Sequence, residues 1–151
     1  MEASGELSGS EVDELVATHT ARIAEAVPDG RTSVSGSTLL GGYGGHDVDL
    51  VVLVPNAAVA AERLRGVYPP LYEDEWREDW AAFRVDGPPQ VDIVVTAEGT
   101  KGDAQHRRAW ELLLADQGLR AEYQALKAEG MDSVTKAAFF ERVVERLPPE
   151  R

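Results

Sequence analysis

The run Val48-Asp49-Leu50-Val51-Val52-Leu53-Val54 constrains the fold more than any other stretch of the chain. Successive side chains of a strand point to opposite faces, so a run that is apolar on both alternating sets suits a strand covered on both sides. Its β-branched content favours a pleated strand over a buried helix. Such a strand needs a sheet with other elements packed over it, and the rest of the chain has to supply them.

The surrounding patterns supply helices and further strands. Ser10 caps a helix whose apolar positions Val12, Leu15, Val16, Ile23 and Val27 follow helical spacing, and "PDG" at 28–30 stops it. Residues 31–35 read as a short strand and 36–45 as a loop, while "PNAAVAAERLRG" reads as a helix ending at Gly66. Pro69 and Pro70 argue against a regular element between Tyr68 and Trp80. "AAFRV" and residues 90–97 read as strands around the turn "DGPP", and three helices follow at about 103–117, 119–128 and 133–146. Gly118 and Gly130 punctuate those helices, and Pro148 and Pro149 end them. The fold class is therefore α/β in the broad sense (α+β): a mixed β-sheet with packed helices and a helical C-terminal part. Residues 1–9 are small and polar and are expected to be disordered, leaving a single domain over 10–147.

Composition narrows the partners. The formal charge of −12 repels a nucleic-acid backbone at long range, so nucleic acid is disfavoured as a partner. A small phosphate-bearing ligand held through metal ions stays open, because the ions invert the local field. The chain contains no cysteine, which removes disulfides and thiolate metal sites and makes a cytoplasmic location the default. No apolar run approaches the roughly 20 residues of a membrane span, and none at the polar start resembles a signal-peptide core.

The chemistry centres on acids. Asp47 and Asp49, two apart, point to the same face of their strand, where Asp is otherwise depleted. At about 5–6 Å two such charges repel by about 3 kcal/mol at an effective dielectric of about 20, so solvent, a basic partner or a cation must offset them. Asp92 lies inside a second strand with apolar neighbours on both sides; if the two strands are adjacent, three carboxylates converge. Three oxygen ligands suit Mg²⁺ or Mn²⁺, which bind substrate phosphates. The plainer alternative is a solvated strand start at Asp47 and Asp49, with Asp92 in a salt bridge.

Upstream, Gly36-Ser37 precedes Asp47-Val48-Asp49-Leu50 by the nine residues 38–46. This arrangement resembles the signature of the DNA polymerase β-like nucleotidyltransferases, a Gly-Ser pair followed by Asp-apolar-Asp-apolar. The back half, with "HRRAWELLLADQGLRAEYQALKAEG" and "DSVTKAAFFERVVERL", resembles the GrpB-like branch of that superfamily. The two matches together span residues 31–146. The chain departs from the GrpB-like pattern after Gly36-Ser37-Thr38, where "LLGGYGGH" follows, and at Asp92, where that branch often carries His.

The resemblance implies a sheet of the nucleotidyltransferase type and transfer of a nucleoside monophosphate from a nucleoside triphosphate to a hydroxyl-type acceptor, a small molecule. Asp47, Asp49 and Asp92 would be the catalytic residues and the ligands of Mg²⁺ or Mn²⁺. Gly36 and Ser37 would grip phosphate, a close approach that a side-chain-free glycine permits. Lys101, Arg107 and Lys136 are candidates for triphosphate contact, with Arg108 beside them, each weighed against a plain solvated surface. A homodimer would supply a wall that a short chain lacks. The alternative reading is a nucleotide-binding or protein-interaction module with the same fold and no turnover.

Other residues carry less. His46 precedes the acidic pair and is a candidate substrate contact, whereas His19 and His106 are too scattered to suggest a zinc site. Trp76 and Trp80, four apart, would make an aromatic wall if "WREDW" were helical, with ordinary packing as the alternative. No Gly-x-Ser-x-Gly occurs, and "GGYGG" lacks the Lys-Ser/Thr of a P-loop.

Overall fold

The structure, a computed structural model, describes residues 9–40, 47–87 and 89–148. Of the expected disorder over residues 1–9, residues 1–8 lie outside the described residues, as do the loop expected at Gly41, Gly42, Gly44 and Gly45, the role of His46 and the stop at Pro149. Gly9, by contrast, already belongs to the first helix, so Ser10 lies inside that helix rather than capping it.

A mixed five-stranded sheet forms the centre. Its strands are β1 (Arg31–Ser35), β2 (Asp47–Val54), β3 (Pro70–Leu71), β4 (Trp80–Val85) and β5 (Gln90–Ala97), in the order β1-β2-β5-β4-β3. β2 and β5 are parallel and every other pairing is antiparallel. The helices are α1 (Gly9–Ala26), the single turn α2 (Gly36–Leu39), α3 (Ala57–Arg65), α4 (Lys101–Asp103), α5 (Ala109–Ala115), α6 (Gln117–Ala128) and α7 (Ser133–Glu145). A π-helical turn, Ala104–Arg108, joins α4 to α5.

The alternation along β2 explains the layering. Val48, Leu50, Val52 and Val54 pack with Ile93, Val95 and Phe83 against Ile23, Val27 and Leu64 of α1 and α3 and the segments that follow them. The opposite set, Val51 and Leu53, is buried too, so the strand is covered on both faces except where Asp47 and Asp49 begin it. Among the described residues a second, separate core joins α5, α6 and α7 through Trp110, Leu113, Leu119, Tyr123, Phe139 and Val143. The helical part thus carries its own hydrophobic centre.

Several boundaries depart from the sequence reading, each for a local reason. Residues 36–39 form α2 rather than loop, and the Thr38 hydroxyl accepts the Asp49 N–H at 3.2 Å, tying that turn to β2. Pro70 enters a regular element after all, in a two-residue strand at the sheet edge where a missing N–H costs least. "WREDW" is not helical: Trp76 is extended after a 3₁₀ turn at Glu73–Glu75, and Trp80 opens β4. The break between α5 and α6 falls at Asp116, whose carboxylate caps the Leu119 N–H at 3.0 Å, while Gly118 sits inside α6. Gly130, at φ +83°, does end α6.

His19 is a packing residue: its Nδ1 lies 2.8 Å from the buried Tyr68 hydroxyl, linking α1 to the turn after α3. No helix among the described residues is long and apolar enough to cross a membrane.

Phe83 is fully buried at the centre of the sheet-side core. Phe83→Ala is expected to lower the urea-unfolding free energy by about 3–5 kcal/mol, the usual cost of an emptied aromatic site; a loss below 1 kcal/mol would mean that this core is not packed as described.

Candidate active site

Parallel pairing of β2 with β5 sets Asp49 directly beside Asp92, and Asp47 beside Gln90. Both aspartates of the first pair project from the sheet face that the helical part overhangs. A cleft of about 380 Å³ opens there, walled on one side by Asp49, Asp92 and Arg84 and on the other by His106, Tyr123 and Lys136. The cleft therefore lies between the two cores, with the carboxylates on the rigid sheet.

Gly36 is fitted to Asp49. It has φ +61°, and a Cβ there would stand 2.9 Å from the Asp49 Cγ and closer still to Oδ2. Only glycine satisfies both the backbone conformation and that approach. Thr38, buried behind it, also lies 3.5 Å from the Asp47 carbonyl oxygen. Ser37 follows Gly36 in α2.

The two facing carboxylates are treated differently. Asp92 accepts from Arg84 Nε at 2.7 Å and from an Arg84 Nη at 3.3 Å, a bidentate pair delivered by the antiparallel register of β4 on β5. The Gln90 amide donates to it as well. Among the described residues the Asp49 carboxylate has no such partner. Burial first, and then the charges of Asp92 and Asp47, push its carboxyl up from 3.8 to about 6, against the opposing pull of Lys136 and Arg84. Among the described residues no group of three acids or histidines is arranged as a ready-made cation site.

Two residues that sequence reasoning missed stand opposite. His106 sits on the π-helical turn, and its Nε2 accepts from the Trp80 indole N–H at 3.0 Å. Burial, with the charges of Arg77 and Lys136, drags its imidazole down to about 4, so the ring is neutral at physiological pH. Its carbonyl oxygen accepts from the Ser35 hydroxyl at the end of β1. Tyr123 projects from α6, its phenol raised by burial and by the charge of Asp49. A π-helical insertion within an otherwise α-helical stretch is the feature that aims His106, and periodicity alone does not reveal it.

The basic residues separate. Lys136 lines the cleft and lies near enough to act on Asp49. Lys101 opens on a neighbouring cavity instead. Arg107 is bound to the fully buried Asp103 at 2.5 and 2.8 Å and to Glu111 at 3.2 Å, which anchors the π-helical turn. Arg108 lies on the same turn. Trp80 lines the cleft, whereas Trp76 packs on Phe83 with ring centroids 5.2 Å apart.

No protein-family model matches the chain, and no curated protein does. The architecture does have a match: the crystal structure of conserved protein GrpB from Enterococcus faecalis superposes with a TM-score of 0.68 over 93% of both chains, at 13% sequence identity. The fold is GrpB-like. At that identity the likeness speaks for the GrpB-like architecture alone, and the chemistry has to be argued from the residues of the cleft.

Because Asp49 is held above its unfolded value of 3.8, its ionisation costs the fold nothing well below pH 4 and the full amount above about pH 6. Asp49→Asn is therefore expected to stabilise the protein at pH 8 by on the order of 2 kcal/mol, a gain that fades as pH falls from 6 toward 4. Urea unfolding across that range checks it, and a gain independent of pH would refute the buried charge.

Proposed function

We propose that the chain is a metal-dependent nucleotidyltransferase that moves a nucleoside monophosphate from a nucleoside triphosphate to a hydroxyl on a small acceptor molecule. The observation that carries this reading is the register of Asp49 beside Asp92, with Gly36 packed against the Asp49 carboxylate. The donor chemistry suits Mg²⁺ or Mn²⁺: all ligands are carboxylate oxygens, and Asp49 is a half-buried acid with two like charges near it and, among the described residues, no ion pair. Asp47, Asp49 and Asp92 would hold the ion. When bound, it would offset the charge of the triphosphate and of the transition state.

The chain's own groups have separate tasks. Backbone N–H groups at Gly36 and Ser37 would meet the β- and γ-phosphates, and Lys136 would add a positive charge across the cleft from Asp49. Asp92 would take the proton of the acceptor hydroxyl. The acceptor oxygen then bonds to the α-phosphorus while the bond from that phosphorus to the bridging oxygen breaks, and pyrophosphate leaves with the electron pair. Lys101 and Arg107 are less well placed for triphosphate, the one opening on another cavity and the other paired with Asp103.

A second reading, a nucleotide-binding module without turnover, is favoured by one observation: Arg84 already neutralises Asp92. Calorimetric titration with each nucleoside triphosphate, with and without Mg²⁺, separates the two. Expected is Mg²⁺-dependent binding, weakened at least about tenfold in Asp49→Asn, and pyrophosphate release with an acceptor present. Binding with no pyrophosphate released over a panel of acceptors supports the module; no Mg²⁺-dependent binding defeats the enzyme.

Arg84 supplies a further check that needs no substrate. If Asp92 is a metal ligand, Arg84→Gln removes its competitor, and Mn²⁺ alone should bind about tenfold more tightly, as read by water-proton relaxation. An unchanged Mn²⁺ affinity would take Asp92 out of the metal site.

A further inference from the structure

Beside the carboxylate cleft lies a larger cavity of about 580 Å³. The two share one wall, made of His106, Trp110 and Lys136. The floor of the second is apolar: Trp110 and Phe140, ring centroids 4.7 Å apart, with Val144 one turn further along α7. Its volume falls within the range of small-molecule sites.

The charge at its edge is unusual for this protein. The whole chain has three lysines against a net charge of −12, and two of them, Lys101 and Lys136, open on this one groove. Both are exposed, and neither enters an ion pair among the described residues. Glu141, the single acid of the lining, pairs with neither. Gln105 and Ser133 add neutral polar groups beside them. The shared wall is uncharged at His106, whose Nε2 is occupied by Trp80.

An apolar aromatic floor under two unpaired ammonium groups matches a ligand with a planar body and an anionic head. A nucleobase stacked on the same floor would leave Lys101 without an anion, since only Lys136 also faces the first cleft. We propose that this groove binds a small aromatic anion, its ring on Trp110 and Phe140 and its carboxylate or phosphate at Lys101, and that it is the acceptor's subsite. The ligand's hydroxyl would then face the first cleft across Lys136. The acceptor role rests on the nucleotidyl-transfer reading; the ligand class rests on the groove alone.

The test uses the full chain, ¹⁵N-labelled, titrated with 4-hydroxybenzoate and separately with phenyl phosphate, with benzyl alcohol as the uncharged control. Saturable shifts are expected at Lys101, Gln105, the Trp110 indole and Phe140, with a Kd of about 1 mM or tighter for at least one anion. The tighter of the two anions identifies the head group. Lys101→Ala should weaken binding about fivefold, and Ala137→Trp, at an exposed position that fills the groove, should abolish it. Equal binding of benzyl alcohol, shifts centred on Asp49 and Asp92, or adenosine saturating the same residues would overturn the proposal. Absence of Mg²⁺-dependent nucleotide binding to the same sample would overturn the acceptor role alone. Loss of the anion shifts with nucleotide binding intact would overturn the groove alone.

Discussion

The parallel pairing of β2 with β5 is the constraint on which the site depends. It fixes Asp49 beside Asp92, and a slip of one residue in either strand would turn that strand's aspartate onto the face that packs against α1 and α3. A buried hydrophobic set on the other side of each strand holds that register in place. The same sheet brings Arg84 to Asp92 from β4 and Ser35 alongside Asp49 from β1. Four strands thus meet at one charged spot, each contributing a residue.

Charge is distributed unequally across that spot. Asp92 is compensated by a bidentate guanidinium and an amide, while Asp49 carries its charge against burial and two neighbouring acids. One carboxylate is therefore settled within the protein and the other is not. Proximity alone would have made them equivalent; the antiparallel neighbour of β5 makes them different. Gly36 adds to the asymmetry, since it closes on Asp49 and leaves Asp92 to the side chains of β4 and β5.

What could be read from the sequence followed from local periodicity. The strands β2 and β5, the acids breaking their apolar runs, and the helices α1, α3, α6 and α7 all announce themselves within windows of ten or so residues. The mixed sheet followed from their order. The turn α2 did not, because Thr38 holds it by a bond to β2 across the chain. Arg84 was missed for the same kind of reason: only the β4–β5 register makes it a partner of Asp92. His106 reads as a scattered histidine and Tyr123 carries no signal of its own, until a π-helical turn and the packing of α6 aim them at the cleft. Arg107 and Lys101 belonged to the right segment, yet burial of Asp103 and the course of α4 drew them elsewhere. The facing of the strand acids was legible from period-two alternation; that of the residues brought in by β4 and the helices was not.

The existence of two hydrophobic centres has a consequence for how such a molecule would hold together. Asp49 is anchored in the sheet, and Lys136 and Tyr123 in the helical part, so the cleft runs along the seam between them. Seams of this kind are where a domain opens first, since few apolar contacts cross them. A ligand touching both Asp49 and Lys136 would act as a clasp between halves, and its affinity would reappear as resistance of the helical part to amide exchange and proteolysis.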